Sequence, residues 1–428
     1  MKPSLSGLFA KVSVILCSLF LSLFLIELFV RIYDDFRQTR RVLNPEFFKG
    51  ASVIDFPELN YNEAAVSTRK PKGSFRILSF GDSFSFGIVK RPYTYHSIAS
   101  RELTERAGRN VELINVGEAA TSFYQYMNAY RLWGPLIEHD AVLVNIYLGN
   151  DVLDVAYSFV KDDTPIQHVS LNLDFDMQSG LPYRIHVPKK FHFRFLDYAW
   201  LAYLKVSGQL RPGKNLPPEY SYATNDLSEE TFFKASFTHT DNMDLQLLPK
   251  LEDGYIAVIQ FARFLSEIRQ QGYPVYVMLA AGQYQVDQKH REKVLERFPV
   301  LRDKTLDLFL SAFLIRRIFG EVDSRIRVFS LAETLSCGLS LDRAMYFRTD
   351  THWSVEGNRA VAQQVATTLG HSLFKLDPLV REGFENCGRT SVFPDDGFEL
   401  TDAREKAYQT WIQPLFAQAP PQGRRPKH

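Results

Sequence analysis

Arg76-Ile-Leu-Ser-Phe-Gly-Asp-Ser-Phe-Ser-Phe-Gly87 is the stretch from which the fold is read. Its first five residues form a short, nearly all-apolar run, the pattern of a strand buried on both faces of a sheet. Gly81 permits a tight turn from strand to helix, which would present Ser83 at the carboxyl edge of that sheet with its own N–H near a helix start. Four further runs have the same character: Glu112–Val116, Ala141–Tyr147, Pro274–Leu279 and Arg325–Ser330. Helical spacing fills Tyr93–Ala107, Ser122–Leu136, Leu251–Gln271 and Ser354–Leu369. The alternation predicts an α/β fold, a doubly wound five-stranded parallel sheet whose ligands sit just beyond the carboxyl ends of the strands.

The strand ends are therefore the places to search for chemistry. The first delivers Gly81-Asp82-Ser83, and a serine there is a candidate nucleophile, although a helix-capping or turn serine is the commoner reading of such a tripeptide. Gly117 follows the second strand and is by itself a turn glycine. Gly149-Asn150-Asp151 follows the third; the Asn150 carboxamide is a donor of the kind needed where negative charge builds on an acyl oxygen, and also a common cap. After the last strand, Asp350-Thr-His352-Trp leads into a helix. An imidazole can take a proton from a serine hydroxyl while a carboxylate two positions earlier orients its other nitrogen. Each block alone has a structural explanation. Together they supply a nucleophile, a base with its orienter and two further donors, all at the same predicted edge.

In this order and at these separations, the four blocks resemble those of the SGNH (GDSL-type) hydrolase superfamily. The resemblance covers roughly 75–154 and 255–369, and it implies a flavodoxin-like sheet. It further implies Ser83 as nucleophile, His352 as base, Asp350 as its orienter, and an oxyanion hole of the Ser83 and Gly117 N–H groups with Asn150. One departure is visible: the family's last block has Asp three residues before His, where this chain has Thr349, and Asp350 stands two before. The Asp-x-His-Trp form is similar to that of alginate O-acetyltransferase-type envelope proteins, whose motif order differs. The expected function is a membrane-anchored serine esterase that removes or transfers acetyl groups on envelope carbohydrate. The alternatives are a polysaccharide O-acetyltransferase served by a membrane-bound acyl donor, and an idle glycan-binding or scaffold protein. Activity is expected to fall below about pH 6, where an ordinary imidazole becomes protonated. No cofactor is called for. The histidines lack metal-ligand spacing, and His186 with His192, or His239 with Asp241, read as scattered polar surface.

The 428 residues carry 50 Lys and Arg against 49 Asp and Glu, a net charge of +1 that gives no electrostatic case for binding nucleic acid. Near the N-terminus, Val12–Val30 is interrupted by few polar residues and is long enough to cross a bilayer as an uncleaved anchor. A cleaved signal would need small residues before Arg31. Arg31, Arg37, Arg40 and Arg41 outnumber the preceding Lys2 and Lys11, so the positive-inside count opposes an exported globule, whereas the resemblance favours a periplasmic or extracytoplasmic one. The expected organisation is an anchor over 1–33, a linker over 34–73, and the hydrolase-like domain over 74–155 and 250–372. An insertion or cap over 156–249 and a C-terminal extension over 373–428, disordered at its end, complete it. Of three cysteines, Cys337 and Cys387 would share a compartment with the globule, where a bridge and two free thiols are both open.

Overall fold

The computed structural model describes residues 5–37, 41–42, 50–54, 65–87, 89–119, 121–157, 229–378 and 400–419, three short strand pieces between 167 and 184, and five positions between 193 and 203. The chain divides into two compact units, one of Met1–Arg41 with Val169–Ala223 and one of Val42–His168 with Thr224–His428. In the first, helix α1 runs over Leu5–Arg37. Its Ser13–Arg31 portion has a mean hydropathy of 2.5 and is long and apolar enough to cross a membrane.

The second unit is built on five parallel strands: β1 (Phe75–Phe80), β2 (Val111–Asn115), β3 (Ala141–Tyr147), β4 (Val275–Ala280) and β5 (Arg327–Ser330). Their order across the sheet is β5-β4-β3-β1-β2, the doubly wound arrangement expected. All seven residues of β3 are buried, as a central strand covered on both faces must be. Because side chains alternate across a strand, the sheet feeds two separate cores. On one face, Leu78, Phe80, Val142, Val144, Val277 and Leu279 pack with helices α4 (Phe123–Trp133), α7 (Glu252–Gln270) and α9 (Leu310–Val322). On the other, Ile77, Leu113, Leu143, Met278 and Phe329 pack with α3 (Tyr95–Ala107), α10 (Ala332–Ser340) and α11 (Val355–Phe374). Two short helices leave the central strands, α2 (Ser83–Phe86) after β1 and α5 (Asp151–Ala156) after β3.

Two segments assigned by sequence to the insertion and the extension lie within this unit. Helix α6 (Glu229–His239) and the turns through Leu251 bury Phe232, Phe233, Met243 and Leu248. Helix α8 (Gln288–Arg297) joins them through Val294. Near the C-terminus, helix α12 (Asp402–Ala407) and the turns after it place Tyr408, Ile412 and Leu415 in the first core. Arg404 bonds both oxygens of Asp307 at 2.6 and 2.7 Å, and Arg263 donates to the Ala419 and Phe416 carbonyls at 2.6 and 2.9 Å. Cys337 is disulfide-bonded and Cys17 is free. Cys387, the cap segment Arg211–Pro218 and the tail from 420 onward lie outside the described residues.

Replacing a fully buried aromatic side chain with alanine removes its transfer energy and leaves a cavity. Tyr408→Ala is expected to destabilise the protein by about 3 kcal/mol. Urea unfolding followed by circular dichroism checks it; an unchanged midpoint would mean that the 400–419 segment contributes nothing to the core.

Candidate active site

The strand order places the topological switch point between β1 and β3, and the two short helices α2 and α5 start there. The turn into α2 is tight. A Cβ at Gly81 would lie 2.3 Å from Ser85 Oγ and 2.9 Å from Asn145 Cβ, so only glycine fits. Asp82 caps α2 by accepting the Phe84 N–H at 3.0 Å, and this aims Ser83 outward from a largely buried turn. The N–H of Ser83 has no acceptor among the described residues.

The loop before α11 brings the base to this serine. His352 Nε2 lies 2.7 Å from Ser83 Oγ across 269 positions of chain, and its Nδ1 lies 2.5 Å from Asp350 Oδ1. Asp350 Oδ1 also accepts the His352 backbone N–H at 3.0 Å, so one oxygen sets both the ring and the backbone that carries it. With Nδ1–H donating to the carboxylate, Nε2 keeps the lone pair that accepts the serine hydroxyl. The loop is clamped by Phe347 N–H to His352 O at 3.1 Å and Ser354 N–H to Met345 O at 2.9 Å. Ser354 then caps α11. An aromatic wall backs the imidazole: Phe84 lies 4.8 Å from it, stacks on Tyr147 at 4.1 Å and meets Trp353 edge-on at 4.9 Å.

Ser83, His352 and Asp350 are thus together, but the other expected donors are engaged. The Gly117 N–H is not open toward a ligand: it donates to Asn115 Oδ1 at 2.9 Å. The reason is local. Asn115 ends β2, and its carboxamide folds over the turn, with Nδ2 donating to Ser85 O at 2.8 Å. Glycine at 117 is demanded by packing, since a Cβ would lie 2.5 Å from Ser85 Cβ. Asn150, at the start of α5, donates through Nδ2 to Asp154 Oδ2 at 2.8 Å. That bond uses one of its two amide hydrogens.

Sequence reasoning gave no role to the carboxylates around the site. Burial pushes Asp82 up to about 6, against the opposing pull of the Phe84 N–H and of His352. Burial, with the charge of Asp82, raises Asp154 to about 7 and holds Asp151 well above the usual carboxylate range. Burial disfavours the His352 cation, but the Asp350 hydrogen bond and charge, joined by the Asp82 charge, outweigh it and raise the imidazole above its ordinary 6.5. Asp350 is buried yet held below the carboxylate range by the same pair. Of the alternative metal pairings, His186 and His192 lie outside the described residues. His239 packs edge-on against Tyr147 at 5.7 Å, and Asp241 accepts the Tyr157 hydroxyl at 2.7 Å. Among the described residues, no group of three or more His, Cys, Asp or Glu could hold a metal ion.

A base must be neutral to accept a proton, so a raised imidazole moves the acid limb of activity upward, to a midpoint above 6.5 and not near the 6 expected from an unperturbed histidine. Asp82→Asn keeps an oxygen for the Phe84 cap and removes one of the charges that raise His352. Its acid limb is expected at lower pH than that of the unaltered protein, read from kcat/KM against pH. A superimposable profile would show that the Asp82 charge does not reach the imidazole.

Residues 321–386 match the family model described as the SGNH hydrolase-like domain of the acetyltransferase AlgX, and the match includes Asp350 and His352. No curated protein matches the sequence. Solved structures that the chain matches include LAE5, an alpha/beta hydrolase enzyme from the metagenome of Lake Arreo, Spain, at 10% identity over 68% of this chain and 94% of that one, with a TM-score of 0.34. Another is a member of the lipolytic protein G-D-S-L family from Veillonella parvula, at 13% identity over 71% and 100%, with a TM-score of 0.30. The lipase Lip_vut3 from a goat rumen metagenome gives 12% identity over 68% and 97%, with a TM-score of 0.31. Over residues 321–386, the block that bears its histidine, the chain is similar to the SGNH hydrolase-like domain of AlgX.

Proposed function

We propose that this protein is a serine acyl hydrolase or acyltransferase that works through a Ser83 ester. The observation that carries the reading is the unbroken chain Ser83 Oγ, His352 Nε2, His352 Nδ1 and Asp350 Oδ1. His352 takes the Ser83 proton as Oγ attacks an ester carbonyl, and the carbonyl electrons move onto oxygen. The Ser83 N–H, which has no acceptor among the described residues, and the second amide hydrogen of Asn150 are the donors for that oxyanion; the Gly117 N–H can join only by leaving or sharing Asn115 Oδ1. Collapse expels the alcohol, which takes the proton from His352, and leaves acyl-Ser83. A second nucleophile, deprotonated by the same imidazole, then releases the acyl group.

If that nucleophile is water the protein is an esterase; if it is a sugar hydroxyl it is an O-acetyltransferase. The likeness of 321–386 to an acetyltransferase domain favours transfer of acetyl groups on envelope carbohydrate, with an acyl donor supplied by a membrane-bound partner. In this reading α1 is an uncleaved anchor and the globule is exported. The disulfide at Cys337 supports the exported side, since such bonds persist in oxidising compartments.

The test is turnover of p-nitrophenyl acetate by the full-length protein in detergent. Ser83→Ala is expected to lose nearly all activity and all labelling by a fluorophosphonate. Asn150→Ala is expected to lose roughly 10²–10³-fold in kcat. Unlabelled protein whose turnover is insensitive to Ser83→Ala would exclude serine chemistry. Adding an oligosaccharide acceptor separates the two outcomes: acetylated sugar in place of free acetate marks a transferase.

A further inference from the structure

The membrane-helix unit contains a carboxylate where an apolar span is least hospitable to one. Glu27 lies within Ser13–Arg31 and is only 9% exposed. It is paired on both sides: Oε1 accepts Arg31 Nε at 2.6 Å, and Oε2 accepts the backbone N–H of Phe195 at 3.0 Å. Phe195 is far away in sequence, in Lys189-Lys-Phe-His-Phe-Arg-Phe-Leu-Asp-Tyr-Ala-Trp-Leu-Ala-Tyr-Leu-Lys205. This stretch is aromatic and leucine-rich with basic residues at its ends, the composition of segments that lie in a membrane interface.

The hydrogen bond fixes a depth. Glu27 is four residues inside Arg31, about 6 Å along a helix axis, so the Phe195 backbone it holds sits about that far below the Arg31 edge of the span. Phe195, Leu196, Ala199 and Tyr203 are helical, and Leu196, Ala199 and Tyr203 follow the spacing of one helix face. That face is open: Phe193, Leu196 and Tyr203 are 51%, 36% and 54% exposed and Ala199 is exposed. An apolar face held at interfacial depth beside a membrane helix has one fitting occupant, the headgroup and upper acyl region of the same bilayer.

We propose that Phe193, Leu196, Ala199 and Tyr203 form a second membrane contact in the lipid interface, tied to α1 through the bond from the Phe195 N–H to the Glu27 carboxylate. This rests on α1 being a membrane helix, and the experiment separates the two. Single cysteines replace Phe20, Phe193, Leu196, Tyr203 or Lys250 in the Cys17→Ser full-length chain, each is spin-labelled, and the protein is placed in phosphatidylcholine–phosphatidylglycerol vesicles. The unsubstituted Cys17→Ser chain reports background labelling. Paramagnetic relaxation by oxygen and by NiEDDA then gives depth, with exposed Lys250→Cys as the aqueous reference. Expected are oxygen-to-NiEDDA ratios at 193, 196 and 203 several-fold above that reference and below that of Phe20→Cys. Ratios equal to the reference, with position 20 immersed, overturn the proposal while leaving the anchor intact. Exclusion from both reagents overturns it in favour of packing against protein. An aqueous ratio at position 20 removes the anchor itself and the proposal with it.

Discussion

The proposed chemistry depends on a contact of 2.7 Å between two side chains separated by 269 positions. One hydrogen bond contributes on the order of 1 kcal/mol net, far less than the 1–2 kcal/mol per residue needed to order the loops that bear it. The contact is therefore a product of the scaffold. On the serine side, the scaffold is a turn in which Gly81 leaves no room for a side chain and Asp82 fixes the helix start. On the histidine side, it is a loop bonded to itself at both ends, closed by a bridge between Tyr346 and Trp353, with Asn358 Oδ1 accepting the Tyr95 N–H at 3.1 Å. That last bond ties the helix after the histidine to the helix that follows the serine turn. Both reacting groups are thus referenced to the same face of the sheet.

Burial then does a second task. The Asp350–His352 pair is largely shielded from water, so Asp350 holds the imidazole's tautomer and, with the charge of Asp82, raises its proton affinity. The same low dielectric makes the crowd of Asp82, Asp151 and Asp154 unable to carry full charge together near neutrality. A raised imidazole beside carboxylates pushed up to about 6 and about 7 gives the site an electrostatic field that changes with pH near neutrality.

The strands were legible because a parallel sheet covered on both faces leaves a plain record, a run such as Ala141–Tyr147 in which every residue is apolar or buried. The serine and the Asp-x-His block were legible because they stand directly after such runs. Gly117 shows the limit: a glycine after a strand reads equally well as an open N–H or as a gap for a neighbour, and only the fold reveals Asn115 folded over it. The apolar spacing of Glu229–His239 and of Asp402–Ala407 is weak, so helices that pack against the sheet's unit were read as insertion and tail. The net rise of the imidazole was not legible because it is a balance of burial against the Asp350 hydrogen bond and charge, to which Asp82, remote in sequence, adds only in the folded chain.

The segment over 400–419 closes the first core from a distance: Arg263 reaches Ala419 across 156 positions. A chain delivered N-terminus first at 5–20 residues per second spends roughly 8–30 s with that flank of the central helices bare. During that interval the sheet cannot reach its final stability. The late clasp makes completion of the first core wait for the 400–419 segment.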